Sequence, residues 1–314
     1  MHQIKRLMKQ ASGSLFFQRK FGSLKTQGIA DLKAFTRRVP PTTLEELLAE
    51  RIRSGDPYSS RWCSNRSPLV VFQLEYDMES SLYLGLDRVT LRGYAEALRR
   101  CWSLLELGKG DTVAIFDYGT SPVSYLASST FTPYLAQGAA DTLGCLPICN
   151  DGAANMIHRA VEILKFVRPR VLFVRTDCLQ PLAMEIERQL PRLADYTKAL
   201  VVAENEGLLS RGDQSGYESR LGVPVYRLLR IDVAMFLAIE CPGCRLLHSW
   251  QDLYFVESVT DGLEEPSADR RENSLVITNW FAKASPTVRY LSQVNGFLEP
   301  AGCPRGPRDN RIAA

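Results

Sequence analysis

Two hydrophobic periods alternate along the middle of the chain. Between residues 90 and 203, short apolar runs typical of buried strands are separated by longer segments with an apolar residue at every third or fourth position, which is typical of helices. The predicted strands span 112–116, 145–149, 171–175 and 199–203, and the predicted helices span 93–107, 122–138, 153–166 and 179–190. This order predicts β-α-β units and hence an α/β fold, with parallel sheets flanked by helices.

The pattern changes on both sides of this region. Upstream, helices and connectors are indicated, with a capping box at Thr43 and Glu46, followed by a strand at 69–74. After residue 220 the predicted elements are strands, at 223–226, 253–259, 274–278 and 287–290. We therefore predict a helical N-terminal region at 1–60, an α/β core at 61–220, a smaller β-rich subdomain at 221–303 and a flexible tail at 304–314.

The most specific chemical signal is a cysteine and histidine cluster. Cys241, Cys244 and His248 follow the spacing C-x-x-C-x-x-x-H, and Cys303 lies far downstream. Three sulfurs and one imidazole form the closed tetrahedral set that structural zinc prefers, and zinc would stabilise a β-rich subdomain whose core is thin. Unrelated buried thiols and a disulfide are the alternatives, because buried cysteines often act as small hydrophobic residues.

Composition narrows the function classes. The chain has 314 residues, of which 45% are hydrophobic and 23% charged, and this profile is typical of a globular protein. A net charge of +3 does not favour nucleic acid as a partner, and the apolar runs are too short for a membrane span. Eight cysteines in a chain of this length do not suggest a secreted disulfide scaffold, so we expect a reducing cytoplasm.

Basic residues are concentrated near the start of the chain. Residues 1–38 contain nine lysines and arginines against one acid, Asp31. Such a segment could dock an acidic carrier protein or a phosphorylated ligand. We favour a solvated helical face, because apolar residues placed to anchor it are interleaved with the basic ones: Leu7, Leu15, Phe16, Phe17, Phe21 and Leu24.

Short motifs follow one another in an order that resembles a known family. They include Phe-Gln-Arg-Lys-Phe-Gly at 17–22, Leu-Gly-Lys-Gly-Asp-Thr-Val at 107–113, Leu-Gly-Cys-Leu-Pro at 143–147, Glu-Cys at 240–241 and Arg-Tyr at 289–290. The series resembles the phenylacetate:CoA ligase branch of the acyl-adenylate-forming enzymes. The resemblance implies the large N-terminal domain of that family. Because the sequence stops near where the family's small C-terminal lid domain begins, we expect the lid to be absent.

The chain departs from this family where the family binds ATP. Its phosphate loop corresponds to residues 75–82, where this chain has Glu75, Asp77 and Glu79, whose carboxylates repel phosphate. The family's Tyr-Gly-x-Thr-Glu motif corresponds to Tyr-Arg-Leu-Leu-Arg at 226–230, and the aspartate that holds the ribose corresponds to Val294. The resemblance therefore implies that neither ATP nor magnesium is used.

The same comparison supports the metal. The family's zinc site consists of a cysteine, a histidine and a downstream Cys-x-Cys pair. Here the second cysteine of that pair is replaced by Arg305, while Cys244 has appeared beside Cys241, so the number of ligands stays at four. We expect structural zinc.

The chemistry left without adenylation is thioester chemistry. The resemblance places the acyl or aryl pocket near Tyr118, Gly119, Thr120 and Tyr226, at the carboxyl ends of the strands. We predict an ATP-independent enzyme of specialised-metabolite biosynthesis that transfers, condenses or cyclises an acyl or aryl group held on CoA or a carrier protein. A non-catalytic scaffold that binds a carrier protein and a residual aryl-CoA ligase are the alternatives, and a homodimer is left open.

Three residues are candidates for catalysis. Cys149, at a strand end, and His158, in the next helix, would suit acyl-thioester exchange if they meet. Asp117, also at a strand end, could act as a general base. The alternatives are a buried strand cysteine, a solvent-facing histidine and an aspartate that caps a loop. The Arg-Gly-Asp triplet at 211–213 is predicted to be part of a loop.

Overall fold

The structure, a computed structural model, describes residues 2–22, 29, 31–76, 81–190, 192–260, 273–300, 302–305 and 309–314. It divides into two compact units, each built from segments distant in sequence. The first contains Met1–Gly93, Ile231–Phe236 and Trp250–Glu299, and the second contains Tyr94–Arg230, Leu237–Ser249 and Pro300–Ala314. This division differs from the four consecutive regions predicted from the sequence.

The helices and strands, in chain order, have the following bounds. The helices are α1 His2–Ala11, α2 Leu15–Phe21, α3 Leu32–Arg38, α4 Leu44–Ser54, α5 Arg88–Leu104, α6 Pro122–Tyr125, α7 Ala139–Leu143, α8 Ile157–Phe166, α9 Thr176–Gln189 and α10 Arg211–Leu221. The strands are β1 Val70–Glu75, β2 Ser81–Leu86, β3 Thr112–Phe116, β4 Leu146–Asn150, β5 Val171–Arg175, β6 Ala199–Asn205, β7 Val225–Ile231, β8 Phe236–Glu240, β9 Leu247–Trp250, β10 Tyr254–Val259, β11 Ser274–Asn279, β12 Tyr290–Asn295, β13 Phe297–Leu298 and β14 Asp309–Ala313. Within the described ranges, none of the helices has the length and hydropathy of a membrane span.

The N-terminal helices are anchored as their sequence predicts. Leu7, Phe16, Phe17 and Phe21 are buried, and Lys9 and Arg19 between them are exposed to solvent. The Lys20 side chain is only 9% exposed and pairs with Glu46. The anchoring prediction is wrong for Leu15, which is 55% exposed, and Leu24 lies outside the described residues. The predicted capping box is confirmed, since the side chains of Thr43 and Glu46 each accept a hydrogen bond from the other residue's backbone N–H.

The first unit contains two antiparallel sheets. β1 pairs with β2, and β11 lies between β10 and β12. A strand is predicted at 287–290, but β12 begins at Tyr290, the last residue of that range. Arg289, just before β12, has a left-handed φ of 46°. Its backbone N–H donates a hydrogen bond to the side chain of Thr278. A residue in this conformation interrupts a regular strand.

The second unit is built on a large mixed sheet. Its strand order runs β14, β9, β8, β7, β6, β5, β3, β4, and β4, β3, β5, β6 and β7 are parallel. The predicted parallel α/β arrangement is therefore confirmed. One face of the sheet packs against α8 and α9 through apolar residues that include Phe116, Leu172, Leu164 and Leu182. β8 and β9 add an antiparallel pair that the sequence did not predict.

The helix predicted at 122–138 is wrong. Within this range only the short helix α6 forms, and turns separate it from α7, which begins at Ala139. The Asp141 carboxylate accepts hydrogen bonds from the Ser128 hydroxyl at 2.7 Å, the Ser129 N–H at 2.6 Å and the Gly138 N–H at 2.7 Å. These local bonds compete with the helical pattern for the same backbone groups. Gly138 also approaches the Ser128 backbone so closely that a Cβ would lie 2.5 Å from it.

Two other segments that were predicted to be irregular form regular elements. The segment at 211–213 begins helix α10, because the Ser210 hydroxyl accepts a hydrogen bond from the Asp213 N–H at 3.0 Å and caps the first turn. The predicted flexible tail forms strand β14 at its end, where Ile312 is fully buried. Pairing with a strand distant in sequence orders this segment, and local composition carries no information about that pairing.

A buried ion pair joins two parts of the first unit. The Arg289 guanidinium donates two hydrogen bonds of 2.9 Å to the Glu257 carboxylate on β10 and a further bond to the carbonyl of Val39, after α3. Both side chains are less than one tenth exposed. Burial raises the pKa of Glu257, and Arg289 opposes that shift. Such bidentate pairs fix geometry, and removing one partner leaves an uncompensated charge.

We expect Arg289→Met to destabilise the protein by about 3–5 kcal/mol, because it leaves Glu257 buried and unpaired. Urea unfolding followed by circular dichroism measures this change. The double variant Arg289→Met with Glu257→Gln should recover part of the loss, because a neutral amide carries no buried charge. Arg53→Met is the matched control and should cost under about 1 kcal/mol, because Arg53 is half exposed and Glu50 keeps Arg19. Equal losses in the Arg289 and Arg53 variants would contradict this account.

Candidate functional site

Charged side chains meet at the carboxyl edge of the parallel strands. Asp117 directly follows β3, and Arg230 lies near the end of β7. One Asp117 carboxylate oxygen accepts a 3.0 Å hydrogen bond from Arg230, and the other accepts a 2.8 Å bond from the Tyr118 backbone N–H. Both charged side chains are at least nine-tenths buried. Burial raises the pKa of Asp117, and the positive charge of Arg230 opposes the shift.

The backbone around Asp117 has little free space. A Cβ on Gly152 would lie 2.6 Å from the Asp117 Cα, so the segment after β4 passes close to the segment after β3 only because residue 152 is glycine. The Asp117 N–H donates to the Asn150 carbonyl at 3.3 Å. The position of the Asp117 carboxylate is therefore set by two neighbouring strands.

The predicted substrate residues beside Asp117 lie at the surface. Tyr118, Gly119 and Thr120 are exposed, and the Tyr118 ring packs under the Arg175 guanidinium with 3.8 Å between the group and the ring centroid. Arg175 ends β5 and also binds the Asp177 carboxylate, at 3.0 and 2.6 Å. An aromatic ring and two arginines thus surround Asp117 at this edge.

Tyr226 lies elsewhere, so the prediction of one pocket shared by Tyr118 and Tyr226 is corrected. Tyr226 is the second residue of β7 and lines a cavity with Arg170 and Lys198, which precede β5 and β6. This cavity lies at the amino edge of the parallel strands, and Tyr118 lies beyond their carboxyl edge. Tyr226 and Arg230 are four positions apart on the seven-residue strand β7, so most of the strand separates them.

The structure does not bring Cys149 and His158 together. Cys149 lies in β4, and burial raises the pKa of its thiol to about 12, although a hydrogen bond with Ser124 opposes the shift. His158 is the second residue of α8 and is exposed. No hydrogen bond joins the two side chains, both of which lie in the described part of the chain. A thiol with this pKa is protonated at neutral pH, so the catalytic pair stays a prediction without geometric support.

The residues that correspond to the family's phosphate loop are described only in part. Glu75 ends β1, and Asp77 and Glu79 lie outside the described residues. Val294 lies on β12 and is buried. Its isopropyl side chain has no hydrogen-bonding group for a ribose.

The four predicted metal ligands converge at one place. Cys241 directly follows β8, Cys244 lies in the next turn, His248 is on β9, and Cys303 precedes β14. Their ligand atoms all lie within 4.8 Å of one another. The Sγ atoms of Cys241 and Cys303 are 3.9 Å apart, and the Cys244 Sγ lies 3.1 Å from the His248 Nε2. The cluster belongs to the unit that contains the large sheet, which corrects its predicted place in a separate β-rich subdomain.

The geometry of the cluster fits a tetrahedral ion. Zinc–sulfur bonds of about 2.3 Å place two ligand sulfurs about 3.8 Å apart, close to the separation of Cys241 and Cys303. All eight cysteines are free, so the disulfide alternative is excluded in this structure. Three thiols and one imidazole leave no open position, and such a set would stabilise the fold without taking part in a reaction.

Asp309 holds the outer ring nitrogen of His248. Its carboxylate lies 3.0 Å from the His248 Nδ1, and the His248 Nε2 faces the sulfurs. A carboxylate bound to the outer nitrogen of a ligating histidine fixes the ring and raises its basicity. Asp309 falls in the predicted flexible tail and no spacing rule connects it to His248, so only the structure identifies it.

A second buried network supports the strand that carries Cys241. The Glu240 carboxylate is fully buried and accepts hydrogen bonds from Gln214 at 2.7 Å and from Arg227 at 3.3 Å. Arg245 lies 3.0 Å from it, and Arg211 completes its partners. These groups come from α10, β7 and the turn that contains Cys244. Local sequence gives no signal for their convergence.

The fold is similar to that of structurally characterised CoA ligases. A structure of 2-hydroxyisobutyryl-CoA ligase with 2-HIB-AMP and CoA matches with a TM-score of 0.81 and 19% sequence identity, over 99% of this chain and 67% of that chain. A postadenylation state of the same ligase with 2-HIB-AMP gives a TM-score of 0.82 at 19% identity, over 98% and 65% of the two chains. The anthranilate CoA ligase AuaEII, in complex with anthranoyl-AMP, gives 0.50 at 10% identity, over 77% and 46%.

These similarities establish the fold and no more. The chain spans about two thirds of the length of 2-hydroxyisobutyryl-CoA ligase. No protein-family model and no curated protein matches the sequence. At identities of 10–19%, the activity of these ligases does not transfer to this chain.

We expect the purified protein to contain one zinc ion per chain, measured by plasma mass spectrometry. Asp309→Asn should lower the zinc affinity about 10- to 100-fold, because the amide holds the His248 ring without a negative charge. Competition with a chromogenic chelator measures this affinity. Cys303→Ser should lower the affinity further, and Cys63→Ser, which changes a thiol outside the cluster, is the matched control. Protein prepared without chelator that contains no zinc would contradict the assignment.

Proposed function

We propose that this protein is an enzyme with the acyl-adenylate-forming fold that acts on an acyl or aryl thioester without ATP. The observation that supports this proposal most strongly is the buried Asp117–Arg230 ion pair at the carboxyl edge of the sheet. Open α/β sheets bind their ligands at that edge. The ligases with this fold are seen with acyl adenylates, whereas the edge in this chain holds a salt bridge.

Charge at this edge argues against magnesium and ATP. Arg230 occupies the position at which the family resemblance places a magnesium-associated glutamate, and a guanidinium repels the metal ion. The Asp117 carboxylate already has two hydrogen-bond partners. Val294 supplies no group for a ribose hydroxyl. The acidic residues at 75–79 agree with this proposal as a sequence argument, because carboxylates repel phosphate.

Of the three candidates for catalysis, Asp117 has the most favourable surroundings. Burial raises its pKa, which brings a carboxylate closer to the basicity that proton transfer requires at neutral pH. In the proposed step, Asp117 accepts the proton of an attacking hydroxyl, amine or carbon acid. The nucleophile then bonds to the thioester carbonyl carbon, the carbon–sulfur bond breaks, and the thiolate leaves with the electron pair. Arg230 holds the carboxylate in place.

The remaining parts of the proposal concern partners and cofactors. The substrate is an acyl or aryl group carried by CoA or a carrier protein, because the thioester supplies the activation that adenylation would otherwise provide. Zinc held by Cys241, Cys244, His248 and Cys303 has a structural role. Neither nucleic acid nor a membrane is a proposed partner, and the proposed location is the cytoplasm.

We expect calorimetry with ATP and magnesium to give no binding at micromolar concentrations, and we expect mass spectrometry to detect conversion of an acyl-CoA or acyl-carrier thioester. The thioester panel should include aliphatic and aromatic acyl groups. Adenylate formation or micromolar ATP affinity would instead indicate a residual ligase. A stable complex with an acyl-carrier protein without turnover would indicate a scaffold, which is the second candidate because Cys149 and His158 do not meet.

We expect Asp117→Asn to lower turnover about 100-fold or more, because the amide cannot accept the proton. Cys149→Ala should leave turnover within about twofold, because a thiol with a pKa of about 12 supplies little thiolate. In the unmodified enzyme, turnover should rise with pH through a pKa above the ordinary value for aspartate, since the active form is the carboxylate. Initial rates across a pH series measure both effects. Loss of turnover in Cys149→Ala with full activity in Asp117→Asn would reverse the assignment.

A further inference from the structure

A second polar site lies at the opposite edge of the parallel strands. It is the cavity of about 150 Å³ to which Tyr226 contributes, within the unit that contains the large sheet. Its volume is several times the roughly 30 Å³ that one water molecule takes up in the liquid. The ion pair at the carboxyl edge does not contribute to it. The proposed thioester chemistry therefore leaves this cavity unexplained.

Three adjacent strands direct polar residues into the cavity. Arg170 precedes β5, Lys198 precedes β6 and Tyr226 is near the start of β7. The Lys198 backbone N–H donates to the Arg170 carbonyl at 2.7 Å, so these two residues lie side by side at the sheet edge. Because parallel strands begin at a common edge, residues at their starts converge without any local sequence motif.

Two further walls come from the segments that contain the metal ligands. Pro242 lies between Cys241 and Cys244, and Arg305 lies two residues after Cys303. The Arg305 guanidinium pairs with Glu106, which also lines the cavity, at 2.8 Å. An ion pair between two lining residues therefore joins two walls of the cavity.

The lining has an excess of positive charge. Arg170, Lys198 and Arg305 face one carboxylate, that of Glu106. Arg170 also pairs with Asp111 at 3.3 Å, outside the lining. The Lys198 ammonium donates to the Ala194 carbonyl at 3.3 Å and forms no ion pair with any described residue. A concave surface with this charge concentrates small anions.

We propose that this cavity binds the phosphate group of a small molecule, either free phosphate or a phosphate monoester. The Lys198 ammonium, the Arg170 guanidinium and the Tyr226 hydroxyl supply donors from the starts of three adjacent strands, and phosphate oxygens accept charge-assisted hydrogen bonds from such groups. Glu106 competes for Arg305 and limits the affinity. The site is separate from the one proposed for the thioester, so it fits a regulatory ligand or the distal phosphate of a larger ligand.

Calorimetric titration of the full chain tests this proposal, with inorganic phosphate in one arm and phenyl phosphate in the other, at constant ionic strength. We expect saturable binding of at least one of them. Lys198→Met should weaken it about tenfold or more. Lys165→Met removes an exposed lysine of the same unit outside the cavity and should leave binding unchanged. Tyr226→Phe keeps the ring and should weaken binding a few-fold through loss of the hydroxyl donor.

The outcomes distinguish the sources of the phosphate. Binding of both probes assigns the site to free phosphate and esters alike, and binding of phenyl phosphate alone assigns it to esters. Absence of saturable binding of either probe up to about 10 mM overturns the proposal. Equal weakening by Lys165→Met and Lys198→Met overturns it as well. Far-ultraviolet circular dichroism of each variant verifies folding, and Tyr226→Phe provides the test if Lys198→Met does not fold. Loss of thioester turnover does not enter this test, so the two proposals fail separately.

Discussion

Burial of the central parallel strands on both faces is the constraint on which the second unit depends. β3, β5 and β6 consist largely of buried aliphatic residues, which leave little place for polar chemistry, whereas Arg227 in the middle of β7 is buried against Glu240. The polar groups of the two candidate sites lie at the two edges of these strands. The carboxyl edge has the Asp117–Arg230 pair, and the amino edge has Arg170, Lys198 and Tyr226. The sheet places two sites of different charge on one scaffold.

Buried carboxylates recur as organising groups. Asp117, Glu240 and Glu257 are each buried and each meets at least one arginine. A buried charge is costly without a partner, so each pair fixes the relative positions of segments distant in sequence. Glu240 does this for α10, β7 and the turn with Cys244, and it thereby supports the metal cluster. The cluster in turn joins β8, β9 and the segment before β14.

The fold suggests a CoA ligase, whereas the residues at the carboxyl edge of the parallel strands suggest a reaction without ATP. The fold matches CoA ligases seen with acyl adenylates, whereas the carboxyl edge of this chain holds an arginine–aspartate pair. A fold hosts many reactions, and specific residues decide which one takes place. The proposal of thioester chemistry without ATP follows the residues. In this proposal, the protein uses the part of the ligase fold that would hold an acyl group and does not carry out the activation step.

Local sequence determined the elements with a clear period and the metal ligands. β3 and β5 match their predicted bounds, and the four ligands at 241, 244, 248 and 303 meet as the spacing suggested. The tertiary structure alone decided where Asp309, Glu240 and Tyr226 lie, because each meets partners far away in sequence. It also overrode the periodicity at 122–138, where the hydrogen bonds of Asp141 replace a helix, and the polar composition of the tail, where strand pairing supplies the order. Periodicity records which face of an element is buried, but contacts between distant segments depend on how the whole chain packs.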